Sequence, residues 1–184
     1  QHLTMNTLVQ GAWTLALARQ ADLEGEIVFG MTTAVRPGEL AGIEQIVGLC
    51  TNMLPRRIQV DPAKAAADWL TDLQARQAEE QAHDRTLLRD IQRWVGAPTD
   101  QALCEAVVVF ENYPTGNLLA GSAAAEPDDI RVVATGSFEA GIDFPLCLVI
   151  APGAQMSFRL VFSLHRFDAA AMKCLLDDVV ELLM

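Results

Sequence analysis

The feature that most constrains the fold of this chain is a near-continuous apolar run, AVVVF, at residues 106–110. A valine-rich run without polar alternation is typical of a β-strand that is covered on both faces. Hydrophobic residues make up 51% of the 184 residues, so the chain has enough apolar side chains to build a sizeable core. The composition excludes wholesale disorder and fits one domain, or one lobe of a two-lobed protein.

Helical and extended patterns alternate along the chain before several strands follow one another. Helices are predicted at 3–20, 61–84, 86–96 and 167–184, with one or two turns at 42–48, and strands at 26–35, 53–60, 105–114, 130–138, 144–152 and 155–163. Residues 115–129, rich in small side chains, are expected to form a surface connection. This order predicts an α/β (α+β) fold, with a mixed central sheet flanked by helices.

Capping and turn residues set the expected ends of these elements. Thr4 and Asp168 are expected to cap the first and last helices, because their side-chain oxygens can accept backbone N–H groups. Asp61 is expected to cap the second helix, with Pro62 in its first turn. Pro55 lacks a backbone N–H and so favours an edge position for its strand, or a bulge near the start of that strand. Pro152-Gly153 predicts a hairpin turn.

Apolar spacing also predicts which side chains are buried. Trp13 is expected in the core. In the last helix the inward residues are expected to be Ala171, Cys174, Leu175, Val179 and Leu182. The four cysteines, Cys50, Cys104, Cys147 and Cys174, lie among apolar neighbours without C-x-x-C spacing. We expect them to be buried free thiols, as in a reducing cytoplasm.

Charge and hydropathy argue against several classes of partner. The net charge of -11 disfavours binding to nucleic acid or to anionic lipid. No apolar run reaches the roughly 18 residues of a membrane helix, and no signal peptide is visible. The chain starts at Gln1 within a predicted helix lead-in, so we expect it to be part of a longer protein.

The sequence contains no complete catalytic motif that we can identify. Its three histidines, His2, His83 and His165, form no H-E-x-x-H motif and no set with zinc spacing, so no metal site is expected. The nucleophile-elbow and P-loop patterns are missing as well. For His83-Asp84 the simplest interpretation is a solvated helix end.

One long motif stands out against this background. The run VFGMTTAVRPGELAGIEQIVGLCTNMLPRR, residues 28–57, resembles the condensation domains of nonribosomal peptide synthetases. The matching residues are Val28, Phe29, Gly30, Arg36, Pro37, Glu39, Leu40, Gly42, Ile43, Glu44, Val47, Gly48, Leu49, Asn52, Leu54, Pro55 and Arg57. IQRW at 91–94, VVFENYP at 108–114 and the closing helix resemble later parts of the same family. The resemblance spans residues 1–184 but corresponds to the C-terminal half of such a domain.

The resemblance implies a chloramphenicol-acetyltransferase-like lobe. The family signature H-H-x-x-x-D-G belongs to the N-terminal lobe, and here no two histidines are adjacent. The implied activity is acyltransferase-type amide-bond formation between a donor acyl or peptidyl thioester and an acceptor aminoacyl thioester, in cytoplasmic biosynthesis of a secondary metabolite such as an antibiotic or siderophore. The chain alone is expected to be inactive. The alternatives are a non-catalytic recruitment domain or, less favoured, an epimerisation domain.

The resemblance also implies partners and site residues. The expected partners are the N-terminal lobe, donor and acceptor carrier proteins and an adjacent adenylation domain, with no cofactor bound beyond the carriers' phosphopantetheine arms. Candidates for the substrate tunnel or lobe interface are Arg36, Gly48, Asn52 and Arg57. Candidates for carrier contact are His83, Asp84 and Arg85. Arg57 could bind a carboxylate of the other lobe or a phosphate, or could pair with an acid inside this lobe.

Overall fold

The computed structural model describes residues 2–23, 25–36, 40–98, 100–111, 144–153 and 155–184. Its elements in chain order are α1 (Met5–Ala21), β1 (Glu26–Ala34), β2 (Thr51–Gln59), α2 (Ala66–Glu80), α3 (Leu88–Trp94), β3 (Ala106–Phe110), β4 (Leu146–Ala151), β5 (Ser157–Phe162) and α4 (Ala169–Leu183). Single 3-10 turns occur at Ile43–Gln45 and Gln81–His83. The connection predicted at 115–129 and the strand predicted at 130–138 lie outside the described residues.

The described strands form one mixed sheet in the order β2-β1-β3-β4-β5. The inner pairs β1–β3 and β3–β4 are parallel, and the outer pairs β1–β2 and β4–β5 are antiparallel. The apolar run is the central strand β3, with Val107 and Val108 buried on its two faces. Pro55 lies in the edge strand β2, as predicted, and Pro152-Gly153 connects β4 to β5.

One face of the sheet is covered by the helices. Trp13 of α1 is fully buried in this core with Phe29 of β1, Leu148 of β4 and Leu175 of α4. A smaller apolar cluster on the other face comprises Val107, Cys147 and Val149, and no described helix contributes to it. The sheet therefore has a helix-covered face and a second face to which only strands and Phe144 contribute among the described residues.

The helix starts confirm two predicted caps and correct one. Thr4 Oγ1 accepts the Thr7 N–H, and one carboxylate oxygen of Asp168 accepts the N–H groups of two residues in the first turn of α4. The prediction for α2 was wrong, because this helix begins at Ala66 and its N-cap, Ala65, has no side-chain cap. Asp61 instead accepts the Ala63 N–H and closes a separate turn. α2 is held by tertiary contacts, such as the Trp69 Nε1–H bond to the Gln59 carbonyl.

Two predictions about burial were also wrong. In α4 the buried stripe is Met172, Leu175 and Val179, whereas Cys174 and Leu182 are exposed. The helix contacts the sheet along a narrow stripe, and Cys174 falls beside it. Of the four cysteines, all of them free, Cys104 and Cys147 are buried and Cys50 is half-buried.

Candidate functional site

The loop between β1 and β2 is fixed at its base and carries two of the predicted site residues. The Val35 N–H donates to the Cys50 carbonyl at 2.8 Å, which continues the β1–β2 ladder by one bond. Arg36 donates from its guanidinium to the Ile43 carbonyl at 2.7 Å. Arg36 thus shapes the loop. Gly48 lies in its exposed part, and a Cβ there would meet no atom within 4 Å.

The tip of this loop is unusually apolar for a surface segment. Val47 is 100% exposed and Leu49 is 91% exposed, and Leu40 and Ile46 are about half exposed. These four exposed aliphatic side chains lie close together in the sequence, between residues 40 and 49, and exposed apolar groups of this kind are typical of contact surfaces. We call these four residues the loop patch.

Asn52 clamps the loop between α2 and α3 onto strand β2. Its side-chain amide donates to the carbonyls of Asp84 and Thr86, both at 2.8 Å, and its Oδ1 accepts the Met53 N–H at 2.9 Å. Both donors of the amide are therefore used within the chain. This clamp connects the predicted tunnel residue Asn52 with the predicted carrier-contact segment at 83–85.

Arg57 lies on the opposite face of β2 from Asn52, because side chains alternate along a strand. It is 74% exposed and pairs with Glu26 of β1, with Nε and Oε1 3.7 Å apart. An exposed ion pair at this distance contributes little to stability. The guanidinium keeps most of its donors accessible to solvent, on the face of the sheet that no described helix covers.

Arg56 is a buried charge that the sequence analysis missed. Only 8% of this residue is exposed, and burial lowers the pKa of its guanidinium. It forms an ion pair with Glu80 at the end of α2, and its Nε has no hydrogen-bond partner among the described residues. The available signal was strand alternation: Leu54 and Ile58 point towards the helices, so Arg56 between them must do so as well.

The predicted carrier-contact residues lie at the surface after α2. His83 and Arg85 are exposed and Asp84 is half-buried, with Arg85 Nε 3.9 Å from Asp84 Oδ1. Beside them a cavity of about 510 Å³ opens between β2 and α3, lined by Leu54, Pro55, Arg56, Glu80, His83, Thr86, Ile91 and Trp94.

The described residues do not assemble a catalytic set of their own. No group of three or more His, Cys, Asp or Glu side chains among them is placed to hold a metal ion. Burial raises the pKa of the Cys147 thiol to about 11, so it stays protonated at neutral pH and is a poor nucleophile. The described part of the chain also contains no helix of the length and hydropathy that a membrane crossing needs. What the arrangement offers is two accessible surfaces near the start of β2: the loop patch, and the cavity beside α3.

Comparisons with known proteins agree on one family. The family model described as "Condensation domain" matches residues 1–184. The chain is 39% identical over 190 residues to a linear gramicidin synthase of Brevibacillus parabrevis, with 98% of this chain and 4% of that protein covered. The curated relatives to which it is similar are thus far longer than the chain.

Solved structures show the same fold at low sequence identity. The first condensation domain of the calcium-dependent antibiotic synthetase, in complex with a substrate analogue, superposes with a TM-score of 0.68 and 16% identity, over 96% of this chain and 38% of that one. The complex of the X-domain and OxyB from teicoplanin biosynthesis gives a TM-score of 0.75 and 17% identity, over 98% and 39%. In both, the chain covers less than half of the solved protein.

Proposed function

Because the chain belongs to the condensation domain family, we propose that it forms the C-terminal lobe of a domain that makes amide bonds between carrier-bound substrates. The donor acyl or peptidyl thioester and the acceptor aminoacyl thioester are each held on the phosphopantetheine arm of a carrier protein. The second lobe supplies the H-H-x-x-x-D-G histidines. An adjacent adenylation domain and a cytoplasmic location go with this function.

The observation that carries the proposal is the β1–β2 loop. Its motif residues match the family run, and its tip exposes the loop patch, with Val47 and Leu49 almost fully accessible. Burying those aliphatic side chains against another lobe is favourable, at about 25 cal/mol for each Å² of apolar surface removed from water. The hydrogen bond from the Arg36 guanidinium to the Ile43 carbonyl stabilises one conformation of the loop.

Arg57 is our candidate for a contact across the tunnel or lobe interface. It is exposed, its pairing with Glu26 is loose, and a guanidinium fork fits a carboxylate or a phosphate in a bidentate manner. Gly48 and Asn52 contribute through the loop and the clamp described above.

The test is amide-bond formation by the full-length protein between two loaded carriers. Arg57→Ala is expected to lower kcat/KM about tenfold or more while the protein stays folded, and Arg57→Lys is expected to be impaired as well. Glu26→Gln is the matched control, since it removes the partner of Arg57 inside the chain and leaves the guanidinium in place.

The two interpretations of Arg57 give different results. If Arg57 acts across the interface, Glu26→Gln keeps wild-type activity. Equal losses in Glu26→Gln and Arg57→Ala would show that the arginine serves only the internal pair. A wild-type protein that makes no amide product, but binds a partner enzyme, would favour the recruitment function instead.

A further inference from the structure

We propose that a cavity between strand β2 and helix α2 is a binding site for a small oxyanion of phosphate size. The proposed function makes no use of this cavity, which has a volume of about 120 Å³. Arg56 and Ile58 line it from the strand, and Trp69, Arg76 and Gln77 line it from the helix. A cavity of this volume has room for several water molecules or for one tetrahedral oxyanion.

Two buried donors at this cavity have no acceptor among the described residues. One is Nε of Arg56, a residue that is only 8% exposed and that pairs with Glu80 through Nη1. The other is Nε2 of Gln77, whose Oε1 already accepts the Thr7 hydroxyl. A buried polar group is costly to leave without a partner, so both donors favour an acceptor in the cavity.

The charged groups around the cavity favour an anion. Arg76 is exposed on α2 and forms no ion pair within the part of the chain that the structure describes. Burial lowers the pKa of the Arg56 guanidinium, so an anion beside it would stabilise the charged form. The three acids that line the cavity are already engaged, in the pairs Glu80–Arg56 and Asp72–Lys64 and in the Asp61 bond to the Ala63 N–H.

The placement of the donors favours phosphate over a carboxylate. Arg56 belongs to the strand wall of the cavity, whereas Arg76 and Gln77 belong to the helix wall. A tetrahedral oxyanion presents oxygens to both walls, whereas the two oxygens of a carboxylate lie on one side of its carbon. The buried side chains of Ile58, Trp69 and Leu73 keep bulk water from the inner part of the cavity, which strengthens the attraction between a guanidinium and an anion.

The test is hydrogen exchange of the full-length protein in inorganic phosphate, compared with chloride at the same ionic strength. The readout is the amides of α2, which separates this site from phosphate bound elsewhere on the protein. At a phosphate concentration ten times the dissociation constant, these amides are expected to exchange about tenfold more slowly. Acetate is expected to protect them much less. Equal protection by acetate would overturn the assignment to phosphate, and an absence of protection by phosphate would overturn the site.

Three variants locate the binding groups. Arg56→Met removes the buried donor and is expected to abolish the protection by phosphate. Arg76→Gln removes an exposed cation, leaves the core intact and is expected to raise the phosphate Kd about fivefold. Lys173→Gln on α4 is the matched control, since it removes an exposed cation far from the cavity in sequence and is expected to keep the wild-type Kd. Protection that persists in Arg56→Met would overturn the site, and so would a wild-type Kd in Arg76→Gln, a result that stands even if Arg56→Met does not fold.

Discussion

Removing the Asn52 amide should release the loop before α3 from strand β2. In Asn52→Ala the carbonyls of Asp84 and Thr86 lose their side-chain donor, and the Met53 N–H loses its acceptor. Each hydrogen bond is worth about 0.5–1.5 kcal/mol net, so losing the two bonds to the loop should cost about 1–3 kcal/mol. The lower part of this range applies, because Asn52 is half-buried and water can reach some of the freed groups.

The assay combines urea unfolding of the full-length protein with hydrogen exchange at residues 84–91. We expect a lower free energy of unfolding, and exchange at the Asp84, Thr86 and Asp90 amides faster by about tenfold for each 1.4 kcal/mol of local stability lost. Asn52→Asp keeps the size and the acceptor but places a carboxylate against two carbonyls, so it should be at least as harmful.

Gln92 provides a matched control. Its amide also donates to two backbone carbonyls, those of Pro98 and Gln101, at 2.7 and 2.8 Å. Gln92→Ala should lower stability by a similar amount while leaving exchange at Asp84 and Thr86 unchanged. If Asn52→Ala leaves both the stability and this exchange at wild-type values, the clamp has no energetic role and the reasoning is refuted.

Two further predictions concern buried groups. Glu80→Ala leaves the buried Arg56 without its ionic partner and should destabilise the protein by about 1–3 kcal/mol, because the Glu80 side chain is 44% exposed and water can partly replace it. Arg56→Met removes the charge as well and should cost much less. Equal losses of the two variants in urea unfolding would contradict this. A thiol reagent at neutral pH should label Cys174 in the folded protein and spare Cys104 and Cys147, because both are buried and burial raises the pKa of both thiols. Cys104 should react on unfolding, and Cys147 should react on unfolding or as the pH approaches its pKa of about 11. Mass mapping of the labelled sites checks this.

The sequence predicts the five described strands, since strong local signals coincide there with the tertiary structure. The valines of β3 require cover on both faces and occupy the sheet centre, and Pro55 requires an edge and lies on one. The sequence predicts that Asp168 caps a strongly apolar helix, and in the structure its side chain accepts backbone N–H groups from the first turn of that helix. In each case the backbone and the side-chain pattern favour the same structure.

The errors occur where tertiary contacts override local preference. Asp61 and Pro62 have the composition of a helix start, but they close their own turn and α2 begins only at Ala66, where Trp69 can reach the Gln59 carbonyl. The helical spacing of Cys174 is compatible with burial, but this residue lies beside the buried stripe. The position of the sheet determines which face of α4 is buried. No local pattern carries that information.

The candidate site also combines residues that the sequence pattern identifies with an arrangement that only the tertiary structure shows. The resemblance to the family run singles out Asn52 and Arg57 together, but strand alternation places them on opposite faces of β2, so within the described part of the chain they do not face one pocket. Arg57 lies on the sheet face that no described helix covers, whereas Asn52 faces the helices and holds the segment that leads into α3.

Strand β2 thereby connects the β1–β2 loop with the segment that leads into α3. Its start is continuous with the β1–β2 loop that carries the loop patch, and one residue later Asn52 grips the α2–α3 loop. A displacement of the β1–β2 loop would therefore reach the segment that leads into α3 through a strand and two hydrogen bonds. Such coupling is a free energy shared between two sites and must be reciprocal. A substitution that loosens the β1–β2 loop, such as Arg36→Ala, should then alter hydrogen exchange at residues 84–91, and Asn52→Ala should abolish that effect even where both segments remain folded.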